Sequence, residues 1–326
     1  MADPSPDFQL TRQIHTVLVL HFIEGMKQSE IATKLNLSTS KVNRLIAQGR
    51  KLGMVKIDIE SPFERLSELE ARLVSATALR SAMVTPTVSG NADTKLQQVG
   101  KAAANMLMET IRDGDVIAIT GGKAVSAVVE NLSPERALDV TVVPLTGGVQ
   151  GKFYTDVNHL VTRMAERLGG KPMLVHAPLF AENTEQRNML TDMASIKEVF
   201  DLARRADVAL TGIGSVEPRG SSYYDLNPVP EADRKMLVSM GVTAEFMAHL
   251  IGRNGQLADY GLNRRLVALS PEEIRSCRTV IGVAAGAHKA RPIQAVLNGH
   301  LVNKLVLDEE TVTAVLAQME GTEHAA

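Results

Sequence analysis

The stretch Gln28-Ser-Glu-Ile-Ala-Thr-Lys-Leu-Asn-Leu-Ser-Thr-Ser-Lys-Val-Asn-Arg-Leu-Ile46 decides how the beginning of the chain folds. Ile31, Ala32 and Leu35 recur at the spacing of one apolar helix face, so 28–35 is predicted as a short helix. Asn36-Leu37 interrupts that period. Ser38 follows, a residue whose side-chain oxygen accepts from backbone N–H groups at a helix start, and a further helix is predicted from Thr39. In that helix Val42, Leu45 and Ile46 face inward, which leaves Ser40, Lys41, Asn43 and Arg44 outside. Upstream, Ile14, Val17, Leu18, Leu20 and Phe22 predict a buried helix over 11–24, ended by Gly25-Met26. Two helices joined by a tight turn, with a third packed across them, form a helix-turn-helix.

The exposed residues suit duplex DNA. A recognition helix lies in the major groove with its N-terminal side chains at base edges. The face carrying Ser38, Thr39, Ser40, Lys41, Asn43 and Arg44 is placed to do this. An asparagine bonds adenine in two places and an arginine bonds guanine in two, each worth about 1–3 kcal/mol of discrimination. Lys27, Gln28, Lys34, Arg50 and Lys51 suit phosphates, which set register without reading sequence. Between Lys27 and Lys56 seven basic residues stand against one acidic residue, Glu30, although the whole chain carries −2. A cationic head on an acidic body is therefore expected. Aromatic residues make up 3% and tryptophan is absent, which argues against base stacking on single strands. Residues 54–60 alternate strictly between apolar and polar, as a wing strand does.

The remaining sequence is long enough for a second domain: the chain has 326 residues, 44% apolar and 22% charged. It has no apolar run of membrane-spanning length. Its acidic, proline-bearing start is unlike a signal peptide, and Cys277 stands alone, so a cytoplasmic protein without an internal disulfide is expected. The predicted division is a winged helix-turn-helix over 1–60, a connecting helix over 61–80 and an α/β effector domain over 81–326. In the connecting helix Leu66, Leu69, Leu73 and Ala76 form a short seam, suited either to dimerisation or to packing on the next domain.

Short apolar runs at 116–119, 140–144, 173–176, 208–210, 266–269, 280–283 and 305–307 alternate with helical patterns. Such alternation predicts a mostly parallel sheet covered by helices. Several runs end in glycine: Thr120-Gly-Gly-Lys123, Thr146-Gly-Gly148, Thr211-Gly-Ile-Gly-Ser215 and Ala284-Ala-Gly-Ala-His-Lys289. Ligands of open α/β sheets collect beyond the carboxyl ends of the strands, and glycine lets the backbone approach them. Two of these loops carry lysine, so an anionic small molecule is the expected occupant. Gly122-Lys123-Ala124 is no nucleotide loop, the Gly212-Ile-Gly214 segment lacks a third glycine, and Cys277 has no cysteine partner. Neither a metal nor a cofactor is expected.

Four stretches together resemble the SorC family of sugar-responsive bacterial transcriptional regulators: 28–46 as quoted, Asp113-Gly-Asp-Val-Ile-Ala-Ile-Thr-Gly-Gly122, Ala206-Asp-Val-Ala-Leu-Thr-Gly-Ile-Gly-Ser215 and Ile281-Gly-Val-Ala-Ala-Gly-Ala-His-Lys-Ala290. The resemblance implies a winged helix-turn-helix followed by an effector domain similar in fold to the sugar-phosphate isomerase and deaminase (NagB/RpiA-like) group. It also implies operator DNA and a sugar, polyol or sugar-phosphate effector as partners, and a homodimer or homotetramer controlling a carbohydrate or polyol catabolic operon. Carried over by position, Thr120, Gly121, Gly122, Lys123 and Ala124 would hold a phosphate, with Lys289 adding charge. Thr146, Gly147, Gly148, Asp156, Asn158 and Glu245 would line the sugar hydroxyls. This chain has Ala124 where the family often has a hydroxyl residue, and Gly241-Val-Thr-Ala-Glu245 where Gly-Ala-Val-Gly-Asp is usual. The alternative is a phosphosugar isomerase or deaminase with an appended DNA-binding head, in which Glu245 or Asp156 would serve as base.

Overall fold

The computed structural model describes residues 6–55, 64–149, 156–216 and 231–323. The chain divides into two compact units, Met1–Pro62 and Phe63–Ala326. The first is built from α1 (Pro6–Leu18), α2 (Gln28–Lys34) and α3 (Thr39–Lys51) around Ile14, Val17, Leu18, Leu20, Ile31, Ala32, Val42, Leu45 and Ile46. Ser38 caps α3 as the sequence predicts: its Oγ accepts the Lys41 N–H at 3.2 Å. Gly49 lets α3 close on α1, because a Cβ there would stand 2.6 Å from Leu18 Cδ1.

Phe22 departs from its expected inward position. Residues Val19–Ile23 form a π turn, in which the Glu24 N–H bonds the Val19 carbonyl at 3.0 Å. The extra residue in that turn rotates the following side chains outward. Phe22 is 39% exposed and lies under the Arg50 guanidinium, 5.4 Å from its ring centre. The predicted wing falls largely outside the described residues; Met54 and Val55 precede it without forming a strand.

The second unit begins with α4 (Glu64–Ser75). Its Leu66, Leu69 and Leu73 are buried in the core of this unit, and Glu70 accepts the Val84 N–H at 2.8 Å, satisfying a donor of the edge strand β1 (Ser81–Thr85). The segment read from the sequence as a connecting helix thus contributes an integral layer of the α/β body. The other strands are β2 (Val116–Ile119), β3 (Thr141–Pro144), β4 (Lys171–Pro172), β5 (Val208–Ser215), β6 (Val242–Phe246), β7 (His249–Gly252), β8 (Thr279–Val283) and β9 (Lys304–Asp308). The parallel sheet runs β1-β9-β8-β5-β2-β3-β4, and the antiparallel hairpin β6–β7 branches from the outer end of β5.

Side chains alternate across the sheet. Ile117 and Ile119 face the helices α5 (Ala92–Thr110), α6 (Lys123–Asn131) and α7 (Val157–Leu168). Ala118 between them faces the opposite layer, to which α4, α8 (Ala194–Arg204) and the helix Ala290–Asn298 contribute. Among the described residues no helix is long and apolar enough to cross a membrane.

Two predicted strands take other forms. In the run 173–176 the Met173 N–H still bonds the Val142 carbonyl of β3 at 2.9 Å, but the ladder stops there, because the Val175 peptide is claimed by Asn158: Oδ1 accepts its N–H at 3.1 Å and Nδ2 donates to its carbonyl at 2.8 Å. The run 266–269 makes only isolated bridges, Leu266 to Phe180 and Ala268 to Thr146, since its two edges serve different neighbours.

Gly100 sets how closely α5 approaches α6. A Cβ at this position would lie 2.7 Å from the Ala127 Cβ and 2.8 Å from its carbonyl carbon. Gly100→Ala is expected to destabilise the unit by about 1–3 kcal/mol through overpacking, less about 1 kcal/mol regained in helix propensity. A lowered urea midpoint with an unchanged m value is the expected readout.

Candidate DNA-reading and effector sites

On the first unit, Lys27, Ser38, Thr39, Ser40, Lys41, Asn43, Arg44, Arg50 and Lys51 are exposed and Gln28 is half-buried. Asn43 and Arg44 stand side by side between the buried positions Val42 and Leu45, so the inward packing of α3 fixes their outward direction. Ser38 is committed to its cap, while Arg50 rests over the Phe22 ring and remains exposed.

On the second unit, the loop after β2 begins with buried Thr120 and reaches Gly122, whose φ of +120° is open to glycine alone. Gly122 opens α6, whose first-turn N–H groups lack helical acceptors and suit an anion. Ala124 is buried, with its methyl 3.7 Å from where a side chain on Gly212 would begin, so this residue offers its backbone. β5 extends further than the run 208–210 suggests, because its outer residues Ile213, Gly214 and Ser215 pair with β6. That pairing sets Glu245 opposite Gly214, where a Cβ would stand 2.1 Å from the carboxylate. Gly214 is therefore glycine to admit Glu245.

Lys289 comes from the neighbouring strand β8 through the loop 284–289, and its Nζ donates to the Ile213 carbonyl at 2.9 Å. Burial pushes the Lys289 ammonium below its ordinary pKa; Glu245 pulls it back up, and Lys123 presses it down again. Burial likewise pushes the Glu245 carboxyl up, against the opposing effects of the Ala248 N–H and Lys289. Lys123, Glu245 and Lys289 thus converge from β2, β6 and β8 on one patch of the carboxyl edge.

Sequence reading missed Asp308, which fixes the Lys289 loop. Buried at the end of β9, its Oδ2 accepts the Gly286 N–H at 2.9 Å and the Thr311 hydroxyl, and its Oδ1 accepts the Thr311 N–H at 3.1 Å. Gly286 is held at φ +102°. An acid closing the apolar run 305–307 was the available signal.

The tip of the β6–β7 hairpin was also unanticipated. Met247 and Ala248 connect the strands with φ of +54° and +64°, a two-residue turn normally made by Asn-Gly. Glu245 Oε1 steadies it by accepting the Ala248 N–H at 2.6 Å. Beside it, buried His249 donates from Nδ1 to the Met247 carbonyl at 3.0 Å, and burial lowers its pKa to about 4. Because the folded pKa lies below the ordinary 6.5, the unfolded chain binds the proton first. Stability is expected to fall by about 3 kcal/mol as pH drops from 6.5 to 4. A pH series of urea midpoints checks this, with His249→Gln flattening the slope.

A second group forms at the end of β3. Thr146 is buried and bridged to Ala268, and Gly147 lies so close to Pro178 that a Cβ would touch its carbonyl oxygen at 2.5 Å. Gly148, Asp156 and Asn158 line a cavity of about 450 Å³ with Val175 and His176. Asp156 caps α7 by accepting the Asn158 N–H at 3.1 Å, while the Asn158 carboxamide is occupied by Val175.

A helix-turn-helix with an outward-facing Asn-Arg pair, and an α/β body with lysine-bearing glycine loops at its strand ends, are the parts of a ligand-responsive transcription factor. Residues 61–317 match the family model of a putative sugar-binding domain, and residues 9–52 match sigma-70, region 4, itself a DNA-binding helix-turn-helix. The chain is 32% identical over 308 residues to the erythritol catabolism regulatory protein EryD of Brucella abortus, covering 93% of this chain and 95% of that protein. It is 29% identical to the sorbitol operon regulator of Klebsiella pneumoniae, over 94% and 98% of the two chains. The crystal structure of full-length SorC from Klebsiella pneumoniae superposes with a TM-score of 0.73 at 27% identity, covering 94% of this chain and 98% of that one. The chain belongs to the SorC family of sugar-binding transcriptional regulators.

Proposed function

We propose that the protein switches a polyol or related carbohydrate catabolic operon in response to a phosphorylated effector held at the carboxyl edge of its sheet. The observation that carries this reading is the convergence of Lys123 and Lys289 beside the open first turn of α6 and the acceptor Glu245. The two ammonium groups and the N–H groups suit a phosphate, and a carboxylate suits neighbouring hydroxyls. Thr120, Gly121, Gly122 and Ala124 form the cradle. Thr146, Gly147, Gly148, Asp156 and Asn158 extend the site along the edge, the last two chiefly by shaping the wall. The names of the relatives, which speak of erythritol catabolism and of a sorbitol operon, support an acyclic polyol derivative.

On the DNA side, Asn43 and Arg44 read bases while Thr39, Ser40, Lys41, Lys27, Gln28, Arg50 and Lys51 hold the backbone. The protein acts in the cytoplasm as a homodimer or homotetramer on a partly palindromic operator, since paired heads require paired half-sites. The effector changes operator affinity only through different affinities for the two states of the regulator. It is not turned over: of the two carboxylates an isomerase could use as base, Glu245 is engaged by the Ala248 N–H and Lys289, and Asp156 by the Asn158 N–H that it caps.

A thermal-shift panel of tetritol, pentitol and hexitol phosphates beside their unphosphorylated parents tests the reading. A ligand at 100 times its Kd adds about 2.7 kcal/mol, enough to raise Tm by about 5 °C. Stabilisation by a parent polyol but not by its phosphate overturns the phosphate assignment, and product formation from a phosphosugar overturns the non-catalytic one.

A further inference from the structure

The helix after β9, α9 (Glu309–Glu323), is opened by three consecutive acids, and each carboxylate goes to a different element. Asp308 caps it: Oδ1 accepts the Thr311 N–H, while Oδ2 accepts the Gly286 N–H of the Lys289 loop. Glu309 pairs at 3.0 Å with Arg65, the second residue of α4, and Glu310 pairs with Lys95 of α5. Toward the other end of α9, Glu320 pairs at 2.8 Å with Arg72 of α4. Between the two α4 ion pairs, Leu66, Leu69 and Leu73 share one core with Val312, Val315 and Leu316 of α9. α4 begins two residues after Pro62, the last residue of the first unit.

We propose that Asp308 is the positioning residue through which effector binding is passed to the DNA-reading unit, by way of α9 and α4. The inference rests on the effector reading given above and adds how that site is read out. A phosphate drawn onto Lys289 pulls on its loop, in which Gly286, three residues earlier, has its N–H on Asp308. Asp308 and Thr311 are buried, and the Asp308 carboxylate is bonded by the Gly286 N–H, the Thr311 N–H and the Thr311 hydroxyl. The loop therefore moves together with the first turn of α9, or it leaves a buried carboxylate short of a donor. α9 in turn carries α4, which it holds near both ends and packs against between them. An exposed ion pair such as Arg65–Glu309 stabilises a fold little. Its place in the first turn of both helices suits it instead to setting one helix against the other. α4 continues the chain of the first unit, so a small slide of these packed helices shifts the point from which each head is tethered. Operator binding then returns the same factor to the effector.

The test uses the full chain and the tetritol, pentitol and hexitol phosphates of the panel above. Their Kd is measured in the free protein and in its complex with a duplex that the protein itself selects from random sequence. The ratio of the two is the coupling factor. Arg65→Gln with Arg72→Gln alters two exposed side chains assigned to neither ligand. This variant is expected to hold each affinity, measured alone, within about twofold and to shrink the coupling factor about threefold. Asp308→Asn keeps the cap, since its oxygen still accepts the Thr311 N–H, but it turns an NH2 group toward the Gly286 N–H. Its coupling factor is expected to fall about tenfold. Lowered stability does not imitate this, because the folded fraction keeps its ratio. Wild-type coupling in either variant overturns the relay and leaves the effector site standing. An equal loss of effector affinity in free and operator-bound Asp308→Asn protein also overturns it, by confining Asp308 to the crevice. Failure of every phosphate to bind the wild-type protein overturns the effector reading, and the relay falls with it.

Discussion

Lys289→Met is expected to weaken effector binding by about 2–3 kcal/mol, or about 30- to 150-fold, while leaving operator affinity intact. The ammonium is half-buried, anchored on the Ile213 carbonyl and set beside Glu245. A phosphate reaching it gains a charge-assisted hydrogen bond from a half-buried donor, which places the effect at the upper end for one contact. The variant also leaves Glu245 without its cation, and a buried carboxylate so treated takes up a proton more readily. The residual response is therefore expected to improve as pH falls, since a neutral Glu245 repels a phosphate less. Titrating operator release against effector in both proteins, at neutral and mildly acidic pH, measures both effects. Equal midpoints for wild type and variant would remove Lys289 from the site.

Arg44→Ala is expected to cut the preference for operator over random DNA by about 2–6 kcal/mol on a pair of half-sites, with Asn43 still reading its base. Each two-point arginine–guanine contact is worth about 1–3 kcal/mol, and every head placed on a half-site loses one. Arg44 is exposed on α3 and turned outward by buried Val42, Leu45 and Ile46, so the head keeps its core. Binding to random DNA persists through Lys41, Arg50 and Lys51, with its salt dependence nearly unchanged. Footprinting over a salt series separates the two components. A protected operator in the Arg44→Ala protein would assign base reading to other residues of α3.

Local signals in the sequence reached far into this fold. Ser38, the Val42–Leu45–Ile46 face and the apolar runs of β2, β5 and β8 carry their structure in nearest-neighbour chemistry: a cap, a helical period, a continuous buried strand. What was misread depends on distant partners. Phe22 has the spacing of a core residue, and only the π turn brings it out under Arg50. The run 173–176 has strand composition, yet Asn158 claims its peptide. The leucines of α4 read equally as a dimer seam, and the choice between that and the body rests on the layer they meet.

The candidate site divides the same way. Its glycine loops and both lysines could be read directly, because strand ends and glycine mark a ligand edge without reference to anything remote. The supports of those loops could not. Asp308 reaches Gly286 from another strand, and the Met247–Ala248 turn contains none of the residues that announce a hairpin.

That left-handed turn ties two traits of the regulator together. Holding two residues with side chains in a region that disfavours them costs about 1–2 kcal/mol each, and an Asn-Gly pair would relieve it. The same tip presents the Ala248 N–H that aims Glu245. A hardier protein and a keener sensor therefore make opposing demands on one dipeptide, and heat-adapted descendants of this chain would have to surrender some discrimination or find their robustness elsewhere in the body.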